Sequence, residues 1–162
     1  DYLDYDHVVL ATHADQSLKM LDEPTKEEKR ILSKFKYVSN QAILHSDEKL
    51  MPEKKLAWSS WNSISNGKRT SVTYWLNNLQ NLKCTNNFFL TLNPIHEINK
   101  KNIIKNVNFT HPYFNSETLK NQKSLSSLQG KKRTWFCGSY FGYGFHEDGI
   151  KSAINLIENF KI

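Results

Sequence analysis

The feature that most constrains the fold is a cluster of glycines between a short apolar run and a helix near the C-terminus. Four of the six glycines of this 162-residue chain fall in TWFCGSYFGYGFHEDGIKSAINLIENF, residues 134–160. Glycine permits positive φ angles and close approach of the backbone to another group. A strand that ends in such a loop and leads into a helix points backbone N–H groups and the positive helix end at one spot. We therefore expect a ligand with an anionic or carbonyl oxygen here; a turn that uses glycine only for packing is the alternative.

The spacing of these glycines excludes two common phosphate-binding loops. It does not match G-x-G-x-x-G, and no Walker lysine follows. The cluster is therefore not interpreted as a primary pyrophosphate site.

The two ends of the chain look like parts of an α/β layer. DHVVLATHADQSLKMLD predicts a strand at 7–11, a polar turn and a helix, and its continuous apolar run is typical of a parallel strand covered on both faces. EPTKEEKRILSKF predicts a helix that begins with a capping box of Thr25 and Glu28. RTWFCGS predicts a second short buried strand, and the last helix is expected from about Asp148 to Phe160.

The middle of the chain is rich in β-branched and aromatic residues, which favour strands. Strands are predicted within 37–47, 56–65, 70–79 and 86–94, and a weaker one at 103–109. Asn66-Gly67 predicts a hairpin turn. A helix within 115–130 follows, capped by Asn115 or Ser116 and closed by Gly130.

Charge and composition narrow the class of partner and compartment. The net charge is +6, but the basic residues are scattered and nearly all lysine, so nucleic acid is not expected as a partner. Two cysteines do not make a disulfide framework, no metal-binding spacing stands out, and no apolar run is long enough to span a bilayer. We expect a cytoplasmic protein.

The final block, TWFCGSYFGYGFHEDGIKSAINLIE, resembles the C-terminal flavin-contacting motif of the FAD-dependent amine oxidase superfamily. The segments DHVVLATHADQSLKML, ILHSDEKLMP, AWSSWN, VTYWLNNLQNL, TLNP and HPYF look like blocks of a bacterial subgroup of that superfamily, described as predicted NAD/FAD-binding or flavin-containing amine oxidase-like proteins, and in the same order. The resemblance covers essentially the whole chain.

The resemblance implies a fold and a division into parts. The fold class would be mixed α+β and α/β: a largely antiparallel substrate-domain sheet with helices, flanked by C-terminal pieces of a Rossmann-like FAD-binding domain. Residues 1–21 and 131–162 would belong to the FAD-binding part and residues 22–130 to the substrate-binding part. The N-terminal half of the family's FAD domain, with its pyrophosphate loop, is not in this sequence and would be a partner of the chain.

The resemblance also implies the residues at the cofactor. They lie after the first strand, at the end of the last strand and at the start of the last helix: Ala11, Thr12, His13, Gly138, Ser139, His146, Glu147, Asp148, Gly149 and Ile150. Backbone N–H groups of Asp148, Gly149 and Ile150 would meet the N1/C2=O edge of the flavin. Ser139 departs from the acidic residue that many relatives carry there. No catalytic residue is identified, and His146 is the one candidate for a role in the reaction.

A group of aromatic residues on the predicted strands supplies a candidate substrate pocket: Trp58, Trp61, Tyr74 and Trp75. Alternate residues of a strand face opposite sides, so part of the group would be core and part would line an apolar cavity. The function implied is hydride transfer from a C–N or C–C bond of an amine or apolar substrate to FAD, with this chain alone inactive. The alternative is a stand-alone module that binds a hydrophobic ligand or a partner chain without catalysis.

Overall fold

The computed structural model describes residues 3–160. The strands are β1 Val8–Leu10, β2 Lys36–His45, β3 Trp61–Ser65, β4 Thr70–Trp75, β5 Phe89–Leu92, β6 Ile103–Tyr113 and β7 Thr134–Phe136. The helices are α1 Ala14–Met20, α2 Lys26–Leu32, α3 Leu76–Leu79, α4 Ser116–Gln122 and α5 His146–Asn159. None of the helices within 3–160 has the length and apolar character needed to cross a membrane.

The chain divides into two compact units. The first comprises Asp1–Val38 and Pro112–Ile162, and the second comprises Ser39–His111. The second unit is inserted between the two segments of the first. The predicted division into FAD-binding residues 1–21 and 131–162 and substrate-binding residues 22–130 stays a prediction. Residues 22–38 and 112–130 pack with the terminal parts, because α2 and the segment after α4 supply core side chains there. Residues 1, 2, 161 and 162 of the predicted terminal parts lie outside the described residues.

The first unit contains a two-stranded parallel sheet, β1 and β7, with Leu10 opposite Phe136. Its core joins both strands to α1, α2 and the segment after α4, through residues that are all nearly inaccessible to solvent: Leu10, Ala14, Ile31, Leu32, Phe35, Leu125, Leu128, Phe136 and Tyr140. The capping box of Thr25 and Glu28 at the start of α2 is confirmed, with mutual side-chain-to-backbone hydrogen bonds of 3.2 and 2.6 Å.

The prediction that β1 is covered on both faces is wrong for these residues. The pairing is parallel as predicted, but Val8 and Val9 are 44% and 47% exposed. The reason is that the sheet described here has only two strands, whereas parallel sheets normally carry layers on both faces. Two strands are too few to identify a Rossmann-like layer, so that part of the predicted fold class stays a prediction.

The second unit is built on a five-stranded sheet of order β3-β4-β5-β2-β6. The pairs β3–β4, β4–β5 and β5–β2 are antiparallel, which confirms the largely antiparallel sheet. The Asn66-Gly67 hairpin is present, with Gly67 at φ 82°. The overall class is thus mixed α+β: a largely antiparallel five-stranded sheet and a small parallel sheet with helices.

Candidate cofactor site

The parallel pair places the ends of β1 and β7 side by side. The Cys137 N–H donates to the carbonyl of Leu10 at 3.2 Å, one residue beyond the paired residues Leu10 and Phe136. Residues 11–13 and 138–139 therefore leave the same edge of the sheet. In α/β proteins, ligands bind outside the carboxyl ends of parallel strands, which makes this edge the first place to look for a site.

Gly138 lets the two strand ends approach. Its φ is 152°, and a Cβ added there would lie 3.4 Å from the carbonyl oxygen of Thr12 and 2.8 Å from the ring of Tyr140. Its N–H donates to the hydroxyl of Ser152 at 2.8 Å, and that hydroxyl donates to the carbonyl of Gly149 at 2.7 Å. The Ser152 side chain thereby ties the end of β7 to the first turn of α5.

The segment after Gly138, residues 139–145, is here named the glycine loop. The carboxylate of Asp148 accepts the N–H groups of Tyr143 and Phe145 at 2.9 and 3.0 Å. Any Cβ on Gly142 would overlap this carboxylate. Asp148 therefore acts on the loop through its side chain, while its backbone lies in the first turn of α5.

A second clamp comes from α4. The side-chain amide of Gln122 donates to the carbonyl of Tyr140 at 3.2 Å and to that of Gly142. Neither Gln122 nor Ser152 was identified from the sequence. Nothing in their own segments marks them, because each acts on backbone far away along the chain. The loop is held from both sides, so its shape exists before any ligand arrives.

The first turn of α5 offers backbone donors, although not those expected. The N–H groups of Asp148 and Gly149 already donate to the carbonyl of Phe145, at 3.1 and 3.3 Å. Within residues 3–160, no acceptor is present for the N–H groups of His146 and Glu147, nor for those of Ser139 and Tyr140 in the glycine loop. Two of these four groups belong to the first turn of α5 and two to the glycine loop.

At Gly149, no contact with another residue within 3–160 excludes a larger side chain. This glycine lies in the fourth position of α5, and an added Cβ would meet nothing closer than the backbone nitrogen of Ser139, at 3.8 Å. Glycine within a helix costs about 0.5–1 kcal/mol relative to alanine. The missing side chain therefore leaves an open cradle between the first turn of α5 and the start of the glycine loop.

The residues after β1 form a tight cluster of their own. The Thr12 hydroxyl is 2.9 Å from that of Ser17, and the His13 ring stacks on Tyr37 with centroids 4.3 Å apart and 14° between the planes. The Tyr37 hydroxyl accepts the Ala14 N–H at 2.9 Å, and burial raises the pKa of Tyr37 to about 12. The ring of His13 is thus held by stacking, while Ala11 is exposed.

Two buried groups beside the strand ends stay neutral at physiological pH. Burial raises the pKa of the Cys137 thiol, which makes it a poor nucleophile. Burial also raises the pKa of Tyr140, and the nearby Ser17 hydroxyl offsets only part of this effect. Neither Cys137 nor Tyr140 therefore contributes a charge at the strand ends.

His146 and Ile150 of the predicted set are exposed at the start of α5. Glu147 is exposed and lies 3.7 Å from the ammonium of Lys151. Together with Asp148, it adds negative charge to the first turn. This charge opposes the positive end of the helix dipole, so the turn suits a neutral carbonyl oxygen better than a phosphate.

The predicted aromatic group separates onto two faces of the second unit's sheet. Trp61 and Tyr74 are directly opposite and in edge-to-face contact at 6.0 Å. Trp75 faces the other side and contacts Trp58 at 5.2 Å, and Trp58 follows a 3-10 turn instead of lying in a strand. Trp58 and Trp75 pack with buried Phe89, whereas Trp61 on the opposite face is 67% exposed.

The pair belongs to a half-exposed apolar surface. We define the apolar sheet face by six apolar residues that the strand register places on the side of Trp61: Leu44, Trp61, Val72, Tyr74, Leu90 and Leu92. Trp61 is 67% exposed, and the other five are half-buried. Buried Ala42 and the polar residues Ser63, Ser65 and Thr70 lie on the same side.

Comparison with known proteins addresses the fold. No family model and no curated protein matches the chain. Among solved structures, the chain is similar to a CLA-producing fatty acid isomerase from P. acnes, with a TM-score of 0.62 and 12% identity. The similarity covers 97% of this chain and 42% of the isomerase chain, so the chain spans less than half the length of that enzyme. At this identity the likeness shows a shared fold alone.

Proposed function

We propose that this chain is the C-terminal part of a FAD-dependent oxidoreductase of the amine-oxidase type, in which residues 11–13 and 138–150 contact the flavin end of the cofactor. The observation that carries the proposal is the cradle at Gly149. It lies at the carboxyl ends of two parallel strands, and no residue within 3–160 comes close enough to require a glycine there. A ligand that approaches the backbone from outside supplies the missing reason.

The residues at the cradle fit a flavin ring edge. The unpaired N–H groups of Ser139 and Tyr140, and those of His146 and Glu147, are donors for the carbonyl and ring nitrogen atoms of an isoalloxazine. The negative first turn of α5 argues against a phosphate at the same spot, which agrees with the absence of a pyrophosphate loop pattern. The pyrophosphate would then be bound by polypeptide outside this sequence.

When bound, FAD would accept a hydride from a C–N or C–C bond of the substrate. The chain's own contribution is position and electrostatics. The clamps from Asp148 and Gln122 hold the glycine loop in one shape, so its backbone donors need no reorganisation. No acid–base pair is needed in this scheme, and His146 remains the one candidate for a polar role beside the ring.

For the substrate, an apolar chain has better support than a small amine. The apolar sheet face offers aliphatic and aromatic surface without a buried charged group among its members. The solved enzyme that shares the fold is named as a fatty acid isomerase, and a fatty acid is an apolar chain. We therefore propose a lipid-like substrate, with an amine as the second choice.

The test is the visible absorption spectrum of the natural gene product that contains this sequence. We expect purification with the bands of oxidised FAD, and bleaching of those bands when the right substrate is added without oxygen. A colourless protein that takes up no added FAD would overturn the proposal. The 162-residue chain alone is expected to bind FAD weakly or not at all.

The alternative, a binding module without catalysis, is favoured by one observation. The apolar sheet face belongs entirely to the second unit and needs no cofactor to bind a hydrophobic ligand. Tight binding of a lipid by a protein that takes up no FAD would support this alternative.

A further inference from the structure

A shallow apolar hollow lies between α4 and the glycine loop. Its volume is about 460 Å³, within the range of small-molecule sites, and it is lined by Leu119, Gln122, Lys123, Phe141 and Tyr143. Leu119 and Gln122 lie on one side of α4, three residues apart, and Lys123 is the capping residue directly after the helix. Phe141 and Tyr143 form the wall opposite.

The wall is rigid and exposes apolar surface. Tyr143 is 68% exposed and Leu119 is 40% exposed, and Phe141 is half-buried. The N–H of Tyr143 is fixed by the Asp148 carboxylate, and the carbonyls on either side of Phe141 are fixed by Gln122. Exposed aromatic residues on a fixed backbone lose little conformational entropy when a ligand covers them.

Lys123 is the one cationic residue among those that line the hollow. The carboxylates of the neighbouring elements are engaged elsewhere: Glu117 with Lys34 at 2.8 Å, Glu147 with Lys151 at 3.7 Å, and Asp148 with the N–H groups of Tyr143 and Phe145. Across residues 3–160, Lys123 forms no ion pair. An apolar wall with a single unpaired ammonium at its rim is complementary to a molecule with an apolar chain and one anionic end.

We propose that this hollow binds a long-chain carboxylate, with the first carbons of the chain on Leu119, Phe141 and Tyr143 and the carboxylate on the ammonium of Lys123. A neighbouring hollow of about 520 Å³ shares Gln122, Lys123 and Phe141. The side-chain amide of Gln129 in that hollow is already hydrogen-bonded to the N–H and carbonyl of Phe136, so it is not available to a ligand. The proposed hollow lies in the first unit, apart from the apolar sheet face, and rests on the proposed function only for the lipid-like class of its ligand. Its geometry does not depend on FAD.

The experiment measures binding of cis-parinaric acid, a fluorescent long-chain acid, and of its methyl ester to the wild-type protein in the absence of FAD. We expect the acid to bind about fivefold more tightly than the ester, the size of one solvent-exposed ion pair. Lys123→Gln should lower affinity for the acid to that for the ester and leave the ester unchanged. Lys120→Gln, on the same helix but outside the hollow, is the matched control and should change neither.

The apolar wall is tested by a second pair of variants. Tyr143→Ala should weaken the acid and the ester alike by about tenfold, because a buried ring surface is lost. Tyr143→Phe should restore binding, and Tyr5→Ala, at another exposed tyrosine, should have no effect. The variants sit at exposed positions, and circular dichroism checks that each is folded.

The outcomes separate this site from the proposed cofactor. If Lys123→Gln and Tyr143→Ala bind the acid as the wild type does, the hollow is not the site, whatever the FAD spectrum shows. If the wild type binds no acid, the inference is equally wrong, even in a yellow protein. A colourless protein that binds the acid through Lys123 would keep this inference and reject the flavoenzyme.

Discussion

Replacing Gly149 with alanine should make the protein more stable and weaken its hold on FAD. Glycine in a helix costs about 0.5–1 kcal/mol relative to alanine, and the added Cβ would reach only the backbone nitrogen of Ser139, at an ordinary contact distance of 3.8 Å. The methyl group therefore adds helix stability without a clash inside the chain. For a domain of this size, a gain of that order raises the midpoint of thermal unfolding by about 1–4 °C.

The same methyl group should obstruct the cofactor. In the proposed site, the flavin edge lies against the backbone at this position, so a Cβ there displaces the ring from the donors on Ser139 and His146. Loss of one or two hydrogen bonds at about 1 kcal/mol each corresponds to roughly a five- to thirtyfold loss of affinity. A valine at the same position, with two more methyl groups, should abolish FAD retention.

The assay combines thermal unfolding of the apoprotein with titration of FAD, using the natural gene product that contains this sequence. Gly142→Ala is the contrasting variant, because its Cβ would overlap the Asp148 carboxylate and should lower stability. Wild-type affinity for FAD in Gly149→Ala would refute the approach of the flavin to this backbone. A lower unfolding midpoint in Gly149→Ala would refute the open cradle itself.

Three further predictions concern groups whose roles follow from contacts. Removing the Asp148 carboxylate by Asp148→Ala should cost about 1–2 kcal/mol in urea unfolding, because two loop N–H groups lose their acceptor; an unchanged midpoint would show that the clamp is dispensable. Trp58→Ala should destabilise the protein by about 2 kcal/mol. Trp61→Ala should leave stability nearly unchanged and weaken the binding of apolar ligands. Equal effects of the two variants on stability would contradict the assignment of the two residues to opposite faces. Burial lowers the pKa of His45 despite the nearby Asp47 carboxylate, so the unfolded chain binds a proton that the folded chain does not. The contribution of neutral His45 to the free energy of unfolding should therefore have its full value above about pH 6.5 and decrease as the pH falls below that value. If the unfolding midpoint of a His45→Asn variant decreases equally over this range, His45 is not the cause.

Local signals in the sequence predicted most of the elements. The capping box of Thr25 and Glu28 and the Asn66-Gly67 turn each act within four residues, so a short window contains all their physics. Element ends were predicted less well. α5 begins at His146 instead of near Asp148, and α4 ends at Gln122, with a 3-10 turn at Leu125–Leu128 before Gly130. These limits depend on side chains from other elements, which a local pattern does not contain.

The candidate site was predictable as a place and not as a set of contacts. The pattern of strand, glycine loop and helix led to residues 138–150, and the structure brings residues 11–13 to the same sheet edge. The supports from Ser152 and Gln122 are 14 and 20 residues from their partners at Gly138 and Gly142. Sequence spacing alone does not identify contacts over such distances.

The four clustered glycines fall into two groups that their sequence positions do not distinguish: three that the loop itself requires, and Gly149. Gly138 and Gly144 have positive φ angles of 152° and 91°, and Gly142 lies against the Asp148 carboxylate, so these three are required by the loop itself. Gly149 has neither a positive φ nor a close neighbour. A chain that needed only to fold could have alanine at this position and gain stability from it. The open position at Gly149 is what the proposed approach of a molecule from outside the chain requires of this backbone.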